Sequence, residues 1–215
     1  MRRSISNPFA NQYAASGYEA WYETTGRRAD RLEKALLKWL LACFPRAGSL
    51  LEVGCGTGHF TRWFEELGLQ TVGLDQSLLM LGEAIRLGCL PCVCGDALAL
   101  PFLNDAFDLV ALMTTLEFVV DPVQALREAL RVSQQGVLLG VLNRQSLLGW
   151  QRKKEGGQIW GAARFFTPAE LTRLVLRAAG GRRVVVAWRT TLWPMWPGAL
   201  LLPWGGFIGM AVMLS

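Results

Sequence analysis

The sequence predicts an α/β fold: a mostly parallel sheet covered by helices on both faces. Three observations carry this. Between residues 49 and 142 short apolar runs of strand length alternate with stretches of helical period. Two of the helices open on strong start signatures, Asp121-Pro122-Val123-Gln124 and Thr167-Pro168-Ala169-Glu170. With 215 residues and 52% hydrophobic content, the chain can fill a sizeable core within one domain.

Taken in order, residues 30–43 show a helical period, with Leu32, Leu36, Leu37, Leu40 and Leu41 on one broad face. Pro45 and Gly48 close that element, and Ser49–Val53 follows as a strand broken by Gly54. A helix is expected over 59–67, a strand over Thr71–Leu74 and a helix over Leu78–Leu87. Pro91–Cys94 is read as a short buried strand and Phe107–Met113 as a fourth. Asp121 caps the next helix, Pro122 sits where its missing N–H costs nothing, and Gln124 is placed to complete a capping box. Gly136 is expected to end that helix before a strand over Val137–Leu142. A helix over Leu171–Ala179 precedes two closing strands, Val184–Thr191 and Phe207–Leu214. No convincing helix separates these two, so an antiparallel hairpin is the simpler connection.

The net charge of +5 hides a pattern: residues 1–50 carry +4, 51–126 carry −8 and 127–215 carry +9. A uniformly basic surface is excluded, and nucleic-acid binding is not expected. Basic residues over 127–189 read as solvated helix faces, with an anion or RNA patch as the alternative. Five cysteines and no signal-peptide pattern suit reduced thiols and a cytoplasmic location. With His59 as the single histidine, a His cluster is excluded. Thr190 to Ser215 lacks charge and is long enough to span a bilayer, but prolines and glycines interrupt it repeatedly. Two strands joined by an apolar loop are expected instead. Trp193, Trp196 and Trp204 offer a greasy contact to a membrane surface or a protein partner.

The segment Leu51-Glu52-Val53-Gly54-Cys55-Gly56-Thr57-Gly58-His59 carries the chemistry. A strand that stops at alternating glycines before a helix presents bare backbone at the carboxyl edge of the sheet, where open α/β sheets bind ligands. The dinucleotide fingerprint requires a third glycine where His59 stands. The turn is therefore read as a ligand loop or as a plain tight turn. Asp75 ends the second strand 21 residues after Gly54 and is placed to accept both hydroxyls of a ribose, or to cap the helix that follows. Asp96 follows the third strand and can accept an adenine amine, with Ala97 and Leu98 beside the ring; the alternative is a turn aspartate. No lysine for phosphate follows the glycines, and the block is acidic. A nucleoside without phosphates, preferably cationic, suits that field.

Together these residues resemble the class I S-adenosylmethionine-dependent methyltransferases, specifically the small type 11 branch. The likeness lies in residues 51–58, in Val72-Gly73-Leu74-Asp75-Gln76-Ser77, in Gly95-Asp96-Ala97 with Leu100-Pro101-Phe102, and in Ala106–Val110. It implies a Rossmann-like three-layer α/β/α sandwich with a seven-stranded, mostly parallel sheet whose last strand is antiparallel. It implies S-adenosyl-L-methionine as cofactor, with Glu52, Gly54, Cys55 and Gly56 around the methionine moiety, Asp75 and Gln76 at the ribose, Asp96 and Ala97 at adenine, and Thr114 between methionine and substrate. Residues 1–30 become an arm or lid and 31–215 one domain, with an acceptor-side insertion around 143–166. Tyr18-Glu19-Ala20-Trp21-Tyr22 is similar to the branch's lid segment, with Glu19 in place of Asp; covering the sheet edge is the alternative.

Catalytic candidates are Glu117, at a position where many members place histidine, with Tyr18 and Tyr22; for Glu117 a helix-flanking or loop-ordering acid is the alternative. Tyr13 is a further orienting candidate; the resemblance puts Gln158-Ile159-Trp160 and Arg164 in the region that forms the acceptor site, with a plain surface charge as the alternative for Arg164. Cys89, Cys92 and Cys94 are read as core packing, with no metal expected; a soft-metal site or a thiolate relay are the alternatives. The expected activity is methyl transfer to a small apolar or anionic acceptor by a monomer or homodimer. A non-catalytic cofactor-binding regulator or partner subunit and a nicotinamide-dependent oxidoreductase are the rival readings.

Overall fold

The computed structural model describes residues 19–22, 24–147, 149, 150, 154, 161, 163–192 and 198–215. Tyr13, Tyr18, Gln158, Ile159, Trp160, Trp193 and Trp196 lie outside these described residues. The strands are β1 (Ser49–Val53), β2 (Gln70–Asp75), β3 (Cys92–Cys94), β4 (Phe107–Met113), β5 (Ser133–Leu142), β6 (Val184–Thr191) and β7 (Phe207–Leu214). The helices used below are α1 (Arg27–Leu41), α2 (His59–Glu66), α3 (Leu78–Arg86), α4 (Pro122–Val132) and α5 (Pro168–Ala179).

One seven-stranded sheet runs in the order β3-β2-β1-β4-β5-β7-β6. The pairs from β3 to β5 are parallel, and β7 runs antiparallel to both β5 and β6. The expected hairpin of the last two strands is present. The strand order reverses between β1 and β4, and the crevice at their carboxyl ends is where such a sheet binds ligands.

Alternating side chains feed two separate cores. Leu51 and Val53 of β1, with Val110 and Leu112 of β4, face α4 and α5. Leu50, Leu109, Ala111 and Met113 face the opposite way, against Leu36, Leu37 and Leu40 of α1 and Phe60 and Phe64 of α2. By this alternation Glu52 points to the α2 side, where an apolar residue would be the default. Glu52 is 1% exposed.

Some expectations change. Helix α1 begins at Arg27, inside the stretch assigned to the arm. Gln124 does not complete a capping box: Asp121 accepts from the backbone amides of Val123 and Gln124, while the Gln124 side-chain Nε2 donates to the Leu98 carbonyl. Helix α4 stops at Val132, and Gly136 lies within β5 rather than at the helix end. Its φ is 154°, and a Cβ there would lie 2.0 Å from the Val212 carbonyl oxygen on β7. Strand β3 is a half-exposed edge strand with Cys94 exposed, because only β2 flanks it. No helix among the described residues is long and apolar enough to cross a membrane. Trp204 is exposed, and residues 207–214 form β7.

The capping box at α5 forms as expected, with Thr167 Oγ1 accepting from the Glu170 amide and Glu170 Oε2 accepting from the Thr167 amide. Thr167→Ala removes one half of it, so a loss of about 1 kcal/mol of stability is expected in denaturant titration, with the slope of the transition unchanged.

Candidate cofactor site

The site is built where β1, β2, β3 and β4 end. Leu74 O on β2 accepts the amides of Gly54 (2.7 Å) and Cys55 (3.0 Å), which turns the chain sharply out of β1. Gly54, Gly56 and Gly58 all have positive φ, between 56° and 77°. A Cβ on Gly54 would collide with the Thr115 side chain at 2.5 Å, whereas one on Gly56 would meet nothing within 4 Å. The turn is thus packed from below and bare above. Bare backbone lines a cavity of about 270 Å³ together with Glu52, Asp75, Gln76, Asp96, Ala97 and Thr114.

Of the residues expected to hold a cofactor, Glu52, Gly54, Cys55, Gly56, Asp75, Gln76, Asp96, Ala97 and Thr114 all border this one cavity. Asp75 Oδ2 accepts the Gly56 amide (2.9 Å) and Oδ1 the Ser77 amide (2.8 Å), so the carboxylate ties the glycine turn to the start of α3. The capping role belongs to Ser77, whose hydroxyl accepts from Met80 N at 3.4 Å. The amides of Gly56, Ser77 and Gln76 use part of the Asp75 carboxylate and leave acceptor capacity for a ligand. Asp96 Oδ1 accepts the Leu98 amide at 2.9 Å. The loop it opens is held from behind by α4: Gln124 bonds Leu98 O, Glu128 accepts the Leu100 amide, and Arg131 donates to the carbonyls of Leu100 and Phe102.

Thr114 has φ 53°, an uncommon conformation for a residue with a side chain, and its amide bonds Gly140 O at 2.7 Å. Its neighbour Thr115 was not singled out from the sequence. Thr115 Oγ1 lies 3.0 Å from Val53 O, donating to it, which seats the threonine directly under Gly54. A second hydroxyl residue two positions past the end of β4 was the available signal.

Burial pushes the Glu52 carboxyl up to about 8, and the Asp75 charge adds to this; the bond donated by Thr61 Oγ1 opposes it. Burial also raises Asp75 above the ordinary carboxylate range, against the amide bonds of Ser77, Gly56 and Gln76. A cation placed here would relieve both.

The N-terminal segment closes over the turn. Tyr22 borders the cavity and stacks on His59, ring centroids 3.6 Å apart and planes 8° from parallel. His59 Nε2 lies 2.7 Å from Asp30 Oδ1, and Lys34 Nζ lies 3.1 Å from Asp30 Oδ2. Burial works against the Asp30 charge, but the His59 and Lys34 contacts outweigh it and hold that carboxyl below its usual range. Glu19 accepts from Thr57 Oγ1 (2.5 Å) and from Arg62 (3.2 Å). His59, Asp30 and Arg62 were not assigned from the sequence, since the contacts join residues 29 and 43 positions apart.

Among the catalytic candidates, Tyr22 meets the cavity and Tyr18 lies outside the described residues. Glu117 is not part of the cavity wall. It is 2% exposed, and its Oε1 accepts the Leu142 amide at 2.7 Å, tying the loop after β4 to the end of β5. Arg164 is exposed, with its guanidinium 5.4 Å from the Phe166 ring centroid. No group of three or more His, Cys, Asp or Glu residues suited to a metal ion occurs among the described residues.

Comparison with known proteins agrees with this architecture. Residues 51–140 match the Methyltransf_11 methyltransferase domain family. An uncharacterized protein of Mycobacterium tuberculosis (strain H37Rv) is 37% identical over 187 residues, covering 83% of this chain and 61% of the relative. The chain therefore spans about three fifths of the length of that curated relative. The ubiquinone/menaquinone biosynthesis C-methyltransferase UbiE of Roseobacter denitrificans is 35% identical over 139 residues, 60% of this chain and 54% of that one. A solved structure from Thermotoga maritima, described as a SAM-dependent methyltransferase and possible histamine N-methyltransferase, superposes with a TM-score of 0.79. It is 27% identical and covers 98% of this chain and 100% of its own. With its motifs, its sheet order and these relatives in agreement, residues 51–140 form a methyltransferase domain of the class I S-adenosylmethionine-dependent type.

Proposed function

We propose that the chain moves the sulfonium methyl group of S-adenosylmethionine to a small-molecule acceptor by in-line attack. The observation that carries this reading is the convergence of bare glycine backbone, Asp75 and Asp96 on one cavity at the carboxyl ends of β1, β2 and β3. In it, Asp75 accepts the two ribose hydroxyls, and Asp96 accepts the adenine amine between Ala97 and Leu98. The backbone of Gly54 to Gly56 lies along the methionine chain, with Glu52 facing its ammonium group. Gln76 and Thr114 flank the ribose and the methionine end, and Cys55 fills the turn.

The sulfonium is already an activated electrophile, so the protein's task is placement. Holding the nucleophile in line at contact distance supplies several kcal/mol of the barrier reduction, on the order of 7 or more at best. Tyr22, Phe60, Met113, Phe118 and Val119 give the same cavity an apolar and aromatic wall that excludes water and suits an apolar acceptor. The relatives whose names speak of quinone biosynthesis and of histamine support a small organic acceptor. Tyr22 orients the acceptor. Glu117 serves the reaction through position, by fixing the end of β5 against the loop that carries Thr114.

The test is turnover: the purified chain, supplied with the cofactor and a panel of small aromatic and apolar acceptors, is expected to release S-adenosylhomocysteine only when an acceptor is present. Asp75→Ala is expected to weaken cofactor binding at least tenfold, about 1.4 kcal/mol, in calorimetry, and unchanged affinity would remove the ribose assignment. Tyr22→Ala is expected to lower turnover more than cofactor affinity. Glu117→Gln keeps an oxygen for the Leu142 amide, so near-normal turnover is expected; a large loss at unchanged affinity would return the carboxylate to the chemistry.

Glu52 gives a pH signature. The folded protein keeps its proton up to about 8, whereas the unfolded chain loses it near 4.5. The folded state binds more protons across that window, so stability contributed by this group falls as pH rises through it. Thermal unfolding of the ligand-free protein is expected to show that fall, reduced in Glu52→Gln. Binding of the cationic cofactor at neutral pH is expected to release a proton, visible as a buffer-dependent heat that Glu52→Gln abolishes.

A further inference from the structure

Beneath the cofactor turn three thiols gather, of which the methyl-transfer reading uses only Cys55, as filling of the turn. Cys55, Cys89 and Cys92 pack around two glycines whose missing side chains make the room. A Cβ on Gly73 of β2 would lie 2.9 Å from Cys55 Sγ and 3.4 Å from Cys89 Sγ. A Cβ on Gly58, at the start of α2, would lie 2.7 Å from Cys89 Sγ. Cys92 Sγ stands 3.4 Å from Cys89 Sγ and 3.0 Å from the Cys89 carbonyl oxygen. Cys55 and Cys89 are buried, while Cys92, on the edge strand β3, is partly exposed.

We propose that Cys89 and Cys92 form a reversible disulfide whose closure weakens cofactor binding by displacing the floor of the glycine turn. The first half concerns the thiols alone; the second rests on the proposed cofactor site. Two observations beyond proximity support the pair. The thiols differ in character: hydrogen bonds from Cys55, opposed by burial, and then from Cys89, with the Arg62 charge, hold Cys92 well below the usual thiol range, at about 6. Burial and the bond to Cys92 push Cys89 up to about 12. Cys92 is thus the attacking thiolate at neutral pH, and it is also the one of the three with partial exposure.

With hydrogen peroxide as oxidant the step balances as follows. The Cys92 thiolate attacks the peroxide, breaking the O–O bond and expelling hydroxide, and leaves a sulfenic acid on Cys92. The Cys89 sulfur then attacks the Cys92 sulfur, its proton leaves with the departing hydroxyl as water, and the S–S bond forms. Two thiols lose two electrons and the peroxide gains them. A dithiol reverses the bond by exchange.

The coupling to the turn follows from the close packing. Gly58 rests against Cys89, and the missing side chain of Gly73 lets both Cys55 and Cys89 pack onto β2. Drawing Cys89 toward Cys92 moves the atoms on which Gly58 sits, and a packed interior passes such a shift on.

The test treats the full chain with hydrogen peroxide, then blocks free thiols and maps the peptides. A Cys89–Cys92 disulfide is expected, removed by dithiothreitol, absent in Cys92→Ser and in Cys89→Ala, and retained in Cys94→Ser and Cys43→Ser. Using both pair variants guards against misfolding of the buried one. A map showing Cys55 joined to Cys92, or only sulfinic acid on Cys92, overturns the pair. The oxidised chain is expected to bind S-adenosylhomocysteine about tenfold more weakly than the reduced chain, recovering on reduction. Equal affinity overturns the coupling while leaving the disulfide. A reduced chain that ignores the nucleoside, with the disulfide still mapped, counts against the proposed cofactor site.

Discussion

The structure depends on how closely backbone approaches side chains at the end of β1. The turn from Gly54 to Gly58 leaves the strand, bends toward β2 and enters α2 within five residues, and it can do so only if its underside is crowded. Thr115 fills the space below Gly54 and Cys89 the space below Gly58, each nearer than a Cβ would tolerate. Gly56 between them has open space instead. A side chain at the outer two positions would lift the turn from its support; one at the middle would project into the cavity. The same glycine residue type therefore serves opposite needs, and the result is a rigid strip of bare backbone facing a ligand.

Charge follows from the same burial. Glu52 sits on the side of β1 that packs against α2, between apolar neighbours, and Asp75 ends the adjacent strand. Arg62 is the cation whose charge acts on Glu52, and its guanidinium is engaged by Thr57 O and Glu19. Two acids held without a dedicated counter-charge are costly in the empty protein. A ligand that brings a sulfonium and an ammonium recovers that cost, whereas a phosphate-bearing nucleotide would add to it. The block charge of −8 over residues 51–126 is the one-dimensional trace of this preference.

Sheet and site differ in how much of them sequence exposes. The parallel core was legible because its signals are local: a glycine run after Val53, an acid after Leu74, a capping signature at Thr167. Each names an element's end without reference to the rest of the chain. Gln124 and Gly136 misled for the opposite reason. Gln124 has a better use across space, holding Leu98 O, and Gly136 answers to the Val212 carbonyl on a strand far along the chain. Glu117 stands where many family members place histidine, which suggests a reacting group or a loop-ordering acid; its partner is an amide of β5 that no local pattern reveals. Edge or interior placement of β3 was equally hidden, since it depends on which strand lies beside it.

The N-terminal contacts show why the site's cover could not be read in the same way. Its pieces come from three places: Glu19 and Tyr22 before α1, Asp30 within α1, and His59 with Arg62 in α2. Singly these are unremarkable residues on amphipathic helices. Together, the Tyr22–His59 stack and the Glu19–Arg62 and Asp30–His59 pairs attach the N-terminal segment to the helix that grows from the glycine turn. Half-buried polar contacts of this kind add modest stability, so their greater effect is to set where the segment rests. The turn is consequently held between Thr115 and Cys89 below and Tyr22 above. A shift on one side can then be felt by a ligand that touches both.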